Sequence, residues 1–205
     1  ELGGATLIHG ATGKGNDQVR FETTFRLMAP KLEIIAPVRI WEFKTREEEI
    51  AYAKKMKIPV PVTKKSPYSI DTNVYGRAIE CGVLENPWIE PPQDIFTLTQ
   101  DPVKAPSTPE YVTIDFAKGI PSKINGQACR PLALVERLNT IAGRHGVGRV
   151  DMIENRLVGI KSREVHENPA ATVLHTALAD LEALVLDRET MQFKSRISQK
   201  YAELI

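Results

Sequence analysis

The segment His9–Glu22, HGATGKGNDQVRFE, constrains the fold more than any other part of the chain. Gly10, Gly13 and Gly15 surround Lys14 and lead straight into Asn16 and Asp17. Ala5–Ile8 before them reads as a buried strand, while Phe21, Phe25 and Met28 after them recur at the spacing of one helix face. The glycines therefore mark a strand-to-helix turn, with Asn16 or Asp17 suited to cap the helix. Glycine lets the backbone take positive φ and lets a ligand come close. Free N–H groups at the helix start, together with Lys14, attract anions. Two readings stand side by side here, an ordinary tight turn and an anion site. A Walker A loop is excluded, because Gly-x-x-x-x-Gly-Lys-Ser/Thr cannot be drawn through the segment.

Asp17, Arg20 and Thr24 share a helix face distinct from that of Phe21 and Phe25. A carboxylate and a guanidinium three residues apart make an intrahelical ion pair. Beside an anion-binding turn they also suit a zwitterion, the carboxylate holding an ammonium and the guanidinium gripping a carboxylate bidentately. That second reading is an amino-acid site next to a phosphate site.

With these residues in view, the sequence resembles the argininosuccinate synthase family. The likeness runs through His9–Glu22, YSIDTNVYGRAIECGVLENPW (Tyr68–Trp88), TQDP (Thr99–Pro102), GRHGVGRVDMIENRLVGIKSREV (Gly143–Val165) and KYAELI (Lys200–Ile205). The resemblance implies an ATP-dependent ligase that joins citrulline to aspartate through a citrulline adenylate, in arginine biosynthesis, releasing AMP and pyrophosphate. It implies ATP and Mg²⁺ as cofactors, a homotetramer and a cytoplasmic location. By the same resemblance Gly10 lies against ATP, while Thr12, Asn16 and Asp17 bind aspartate. Asn16, Arg20, Ser69 and Glu154 bind citrulline, and no side chain acts as a catalytic nucleophile or metal ligand. Two positions depart from the family pattern: Ala78 stands where a citrulline-binding serine is common, and His166 where a tyrosine is. Alanine donates no hydrogen bond, whereas histidine still does. The family's Ser-Gly-Gly-x-Asp-Thr-Ser pyrophosphate loop does not occur in these 205 residues. The expectation is therefore an internal portion of such an enzyme, inactive by itself. The competing reading is a non-catalytic amino-acid-binding module.

Composition narrows the classes further. Lys+Arg 27 against Asp+Glu 26 gives a net charge of +1 and no basic stripe for nucleic acid. Cys81 and Cys129 cannot build a disulfide framework, and none of the four histidines has a partner at metal-ligand spacing. His9 reads as a packing or capping residue. His145 and His175 read as structural, and Lys161, Ser162 and Arg163 as a polar edge. No apolar run is long enough to span a bilayer.

The fold class expected is α/β, with the C-terminal part of a parallel-sheet nucleotide-binding domain over residues 1–62 and an α+β synthetase domain over residues 63–205. Leu32–Ile35 is the second strand, and Thr45–Glu48 a capping box opening a helix. Pro87–Pro109 is a long proline-rich connection. Tyr111–Phe116 and Ile120–Ile124 read as paired strands. Leu134, Leu138 and Ile141 mark a helix closed by Gly143. Short strands are expected at Val150–Ile153 and Leu157–Ile160. Asn168-Pro169 starts a long leucine-rich helix. Ile197, Tyr201 and Leu204 lie on a final amphipathic one.

Overall fold

The computed structural model describes residues 6–43, 45–60 and 67–204. Ala5, the boundary residue Val62, the Lys64–Lys65 pair and Ile205 lie outside them. The described chain forms two compact units. One contains residues up to Ser69 with Glu80–Glu90 and Met152–Glu164, the other Ile70–Ile79, Pro91–Asp151 and Val165 onward.

In the first unit β1 (Thr6–Ile8) pairs in parallel with β2 (Glu33–Ile35), Leu7 opposite Ile34. Parallel strands need a crossover, and α1 (Asp17–Met28) supplies it. A buried parallel strand needs cover on both faces. Among the described residues this sheet has two strands, and Thr6 and Ile8 are exposed, so the expected burial of β1 is not met. The apolar face of α1 is used through Phe21 and Phe25, whose rings stack 6.0 Å apart, with the His9 ring edge-on to Phe21. Met28 falls outside this contact and is exposed. After a four-residue helix α2 (Pro37–Ile40), α3 (Arg46–Lys55) begins at the anticipated box. The Thr45 hydroxyl accepts from the Glu48 amide while the Glu48 carboxylate accepts from the Thr45 amide, satisfying two N–H groups left over at the helix start.

Strands β3 (Tyr68–Asn73) and β4 (Gly76–Cys81) then follow, which the mixed polar sequence did not announce. Between them and the next strands the proline-rich stretch forms short 3₁₀ turns at Gln93–Ile95 and Pro102–Lys104.

The second unit holds the larger apolar core. Strands β5 (Ile114–Ala117), β6 (Ile120–Ile124) and β7 (Gln127–Ala128) form an antiparallel sheet. Ile124 of β6 packs with Leu134, Val135 and Leu138 of α4 (Pro131–Arg144) and with Ala170 and Leu174 of α5 (Pro169–Val185). Leu134 and Leu138 sit one turn apart, and Leu138 is fully buried, worth about 1.5–3 kcal/mol of transfer energy for such a side chain.

Helix α4 does not close at Gly143, contrary to the sequence reading; it runs through it, and Gly146 at φ +69° follows the helix end. A Cβ on Gly143 would lie 2.2 Å from the Leu98 carbonyl oxygen, so the glycine serves close approach rather than termination. Of the two later strands the first contains the expected Val150–Ile153, whereas the second does not fall at Leu157–Ile160. β8 is Arg149–Asn155 and β9 is Lys161–Glu167, so Leu157–Ile160 belongs to the connecting turn, closed by the Arg156 amide on the Ile160 carbonyl at 3.0 Å and by Gly159 at φ +83°. The sheet order is β3–β4–β9–β8. In the second unit β4 and β9 are antiparallel, with Ala78 directly opposite His166 and the buried Ile79 opposite Val165.

Glu167 ends β9 with its side chain fully buried. It accepts from the amides of Thr97, Leu98 and Thr99, from the Thr99 hydroxyl at 2.7 Å and from Arg77 at 2.8 Å. Burial alone raises its pKa, but these donors, led by the Thr97 amide, outweigh it and hold the carboxyl below its ordinary value. The Thr99–Pro102 motif is thereby a structural anchor: Gln100 also donates to the Gly143 carbonyl at 2.8 Å, and Asp101 accepts from the Val103 amide. Helix α6 (Arg188–Leu204) closes the described chain. Among the described residues no helix is long and apolar enough to cross a membrane.

Candidate functional site

The candidate site lies in the first unit, where the glycine turn joins β1 to α1. Asn16 precedes α1 but has helical backbone angles, φ −72° and ψ −29°, and its side chain makes no bond to its own helix. Capping needs an extended residue whose oxygen turns back on the amides. The capping expectation for Asn16 is therefore corrected. Its carboxamide reaches elsewhere: Nδ2 donates to Glu154 Oε1 at 3.1 Å, and Oδ1 accepts from the Leu157 amide at 2.8 Å. Asp17 is the first residue of α1 and pairs with Arg20 at 3.3 Å rather than capping. Both side chains are more than half exposed, 67% and 57%, so the pair itself contributes little to stability.

Two candidate residues 138 positions apart are thus in direct contact. Behind them stands Arg156, which the sequence reading did not single out. Its Nε donates to Glu154 Oε2 at 2.7 Å, and its Nη2 donates to Glu80 at 2.8 Å and to the Ser162 hydroxyl at 3.1 Å. Nη1 reaches the Lys14 carbonyl of the glycine turn at 3.4 Å. The hydrogen bond to Glu154, with the charges of Glu154 and Glu80, outweighs partial burial and holds the guanidinium above its ordinary pKa. Glu154 is therefore fixed from two sides, yet its side chain stays 23% exposed. Ser162, taken as part of a polar edge, belongs to this cluster. The signal for Arg156 in the sequence was its place two residues after Glu154 in IENR, too local to reveal partners 76 and 142 residues away.

None of Gly10, Gly13 or Gly15 adopts positive φ, so the conformational freedom glycine offers is not used at these positions. A Cβ on Gly10 would meet no atom within 4 Å, and one on Gly13 or Gly15 would make ordinary contacts of 3.6 and 3.8 Å. The fold does not need a glycine at position 10, whose residue is exposed. Thr12 and Lys14 are exposed beside it. Ser69 sits half-buried in β3 of the same unit, and among the described residues no hydrogen bond joins Thr12 or Ser69 to the rest of the set. Ala78 and His166 belong to the second unit, paired across β4 and β9.

His145 is held by Glu110 at 3.0 Å, and Arg144 pairs with the same carboxylate, drawing its pKa below the ordinary value. His175 is exposed on α5. Among the described residues no three His, Cys, Asp or Glu side chains cluster as metal ligands.

Comparison with known proteins bears on this arrangement. Residues 1–59 match the model of the arginosuccinate synthase N-terminal HUP domain, and residues 68–205 that of the arginosuccinate synthase C-terminal domain. The chain is 57% identical over 203 residues to an argininosuccinate synthase of Thermoanaerobacter sp. (strain X514), covering 99% of this chain and 50% of the relative. It is 55% identical over 199 residues to that of Chlorobium chlorochromatii (strain CaD3) and 57% over 201 to that of Aquifex aeolicus (strain VF5), each covering 97% of this chain and 50% of the relative. The chain thus spans about half the length of these curated relatives. Two domain models meeting in one sequence, with the contact between Asn16 and Glu154 joining a residue from each, lead to one conclusion: the chain belongs to the argininosuccinate synthase family.

Proposed function

We propose that the protein serves ATP-dependent ligation of citrulline to aspartate, giving argininosuccinate, AMP and pyrophosphate. The observation that carries this reading is the Asn16–Glu154 hydrogen bond beside an exposed glycine turn. It fixes a carboxylate able to take an ammonium next to a backbone suited to phosphate. In the reaction the ureido oxygen of citrulline attacks the α-phosphorus of ATP and pyrophosphate leaves. The aspartate amine then attacks the activated ureido carbon, and AMP departs with the oxygen while the amine loses a proton. No side-chain nucleophile is needed, and the protein's contribution is proximity and orientation. Gly10 leaves room for ATP, Thr12 and Asp17 hold aspartate, and Asn16 touches both amino acids. Arg20 takes the citrulline carboxylate, Glu154 its ammonium, and Ser69 a further polar contact. Magnesium would enter with the nucleotide and would supply charge neutralisation for its phosphates, with no residue of this chain assigned to hold it.

The reading extends to a division near residues 62 and 63, supported by the matched spans 1–59 and 68–205, and to a cytoplasmic homotetramer.

The test is a chimera in which this chain replaces the matching 203 residues of the Thermoanaerobacter relative. It should release pyrophosphate from ATP in a citrulline-dependent way. Gly10→Val should raise the KM for ATP at least tenfold without loss of fold, since the added side chain begins in open space. Citrulline-independent turnover, or an unchanged ATP dependence in Gly10→Val, would sink the assignment.

A further inference from the structure

We propose that His9 and Glu22 are positioning residues for the glycine turn, tying its two sides to one carboxylate so that its backbone is preset for phosphate. The inference rests on the reading of that turn as the ATP site. His9 is fixed at the end of β1, where its amide donates to the Ile35 carbonyl at 3.1 Å. Its side chain is 7% exposed, against Phe21 and Phe25. The Ala11 amide donates to His9 Nδ1 at 3.2 Å. A ring nitrogen that accepts carries no proton, so neutral His9 holds its proton on Nε2. Nε2–H faces the Glu22 carboxylate, Oε1 at 3.5 Å, beyond a good hydrogen-bond length, so the neutral ring meets that charge through its dipole.

The other side of the turn reaches the same carboxylate by a second route. Gln18 Nε2 donates to the Gly13 carbonyl at 3.0 Å, and Gln18 Oε1 accepts from Arg39 Nη1 at 2.9 Å. Arg39 Nη2 in turn donates to Glu22. Arg26 adds a charge 3.6 Å from the other Glu22 oxygen. Burial raises the Glu22 pKa, but Arg39 first, then Arg26, outweigh it and keep the carboxyl below its ordinary value. The path Ala11, His9, Glu22, Arg39, Gln18, Gly13 therefore runs from one flank of the turn to the other. It gives work to His9, Gln18 and Glu22, three members of the motif that touch no substrate in the proposed reaction. A preset turn avoids an ordering cost when a ligand arrives.

The same chimera tests this with His9→Leu, which removes the acceptor, and His9→Asn, whose Oδ1 can take the place of Nδ1. His9→Leu should raise the KM for ATP and for aspartate, which meets Thr12, by roughly 2- to 12-fold, the span of one net hydrogen bond. kcat and the KM for citrulline should stay within about twofold. His9→Asn should restore native values. In the unliganded protein, exchange of the Ala11 amide should speed up in His9→Leu and stay slow in His9→Asn. Should His9→Leu fail to fold, His9→Gln replaces it, its amide set one methylene too far to accept at Ala11. Asn and Leu variants behaving alike, all three KM values rising together, or unchanged Ala11 exchange would each overturn the proposal. Gly10→Val separates the two readings. If it raises the ATP KM while His9→Leu does not, this proposal falls and the nucleotide site stands. If neither variant moves it, the nucleotide reading has failed and carries this one with it.

Discussion

Glu154 in the first unit and Glu167 in the second are both hydrogen-bonded carboxylates, and they differ in what is left over. Glu167 is fully buried and takes amides, a hydroxyl and a guanidinium until its oxygens are saturated. Glu154 takes Asn16 and Arg156 but keeps part of its surface in solvent. The glycines divide the same way. Gly76, Gly143 and Gly148 stand where a Cβ would come within 2.2–2.5 Å of a neighbour, whereas Gly10 has nothing within 4 Å. Polar groups and glycines fully accounted for by the fold hold the fold. Those left with unused capacity, Glu154 and Gly10, are the ones assigned to ligands in the proposed reaction.

The strongest way to break this comparison is to treat the two glutamates alike. Glu167→Gln should cost about 3–5 kcal/mol in urea unfolding, because it strips the charge from a buried, ion-paired group and turns an NH₂ toward donors. Glu154→Gln should cost less than about 1 kcal/mol, at a partly exposed site. The pH dependence sharpens it. A depressed carboxyl contributes stability that is complete above the ordinary glutamate value of about 4.3 and is lost as pH falls through its lower folded value. Unfolding midpoints should therefore drop on acidification in the native protein, with this component missing from Glu167→Gln. Equal costs for the two substitutions at neutral pH would erase the distinction.

The glycines give a smaller effect. Gly143→Ala should destabilise by about 1–3 kcal/mol as the Leu98 carbonyl is pushed away, although alanine is otherwise the better helix residue. Gly10→Ala should stay within about 0.5 kcal/mol. Thermal or urea unfolding of both decides, and similar losses would remove the argument from open space. Smaller than the Gly143 effect is that of Ala78→Ser in the chimera. If this position faces citrulline, one restored hydroxyl should tighten its binding by about 0.5–1.5 kcal/mol and leave aspartate alone. Isothermal titration with each amino acid would tell, and no change for citrulline would remove Ala78 from the pocket.

What could be read from the sequence was what is decided locally. The Thr45–Glu48 box, the proline opening α5 and the β5–β6 pair depend on neighbours a few residues away; the first two are where the pattern put them, and the pair forms with β5 starting at Ile114 rather than Tyr111. Gly143 was misjudged because the reason for it, the Leu98 carbonyl, is 45 positions distant. Leu157–Ile160 is apolar enough for a strand, but Arg156 and Gly159 close a turn there. Asn16 carried the right residue type for a cap and was diverted by a partner far along the chain. The candidate site was legible as a set of residues through resemblance. Its wiring through Arg156 and Glu22 was not, since a guanidinium or carboxylate declares its partners only in three dimensions.

The pairing of Ala78 with His166 across β4 and β9 has a bearing on how the two positions can be exchanged. Directly opposed residues of antiparallel strands share a face and press on each other's side chains. The two departures from the family pattern are therefore one neighbourhood, and reversing them singly is not the same as reversing them together. Contacting positions commonly show interaction energies of about 0.5–3 kcal/mol. The effect of serine at position 78 therefore depends on whether histidine or tyrosine stands at 166, so the order in which the two are exchanged decides what each step costs.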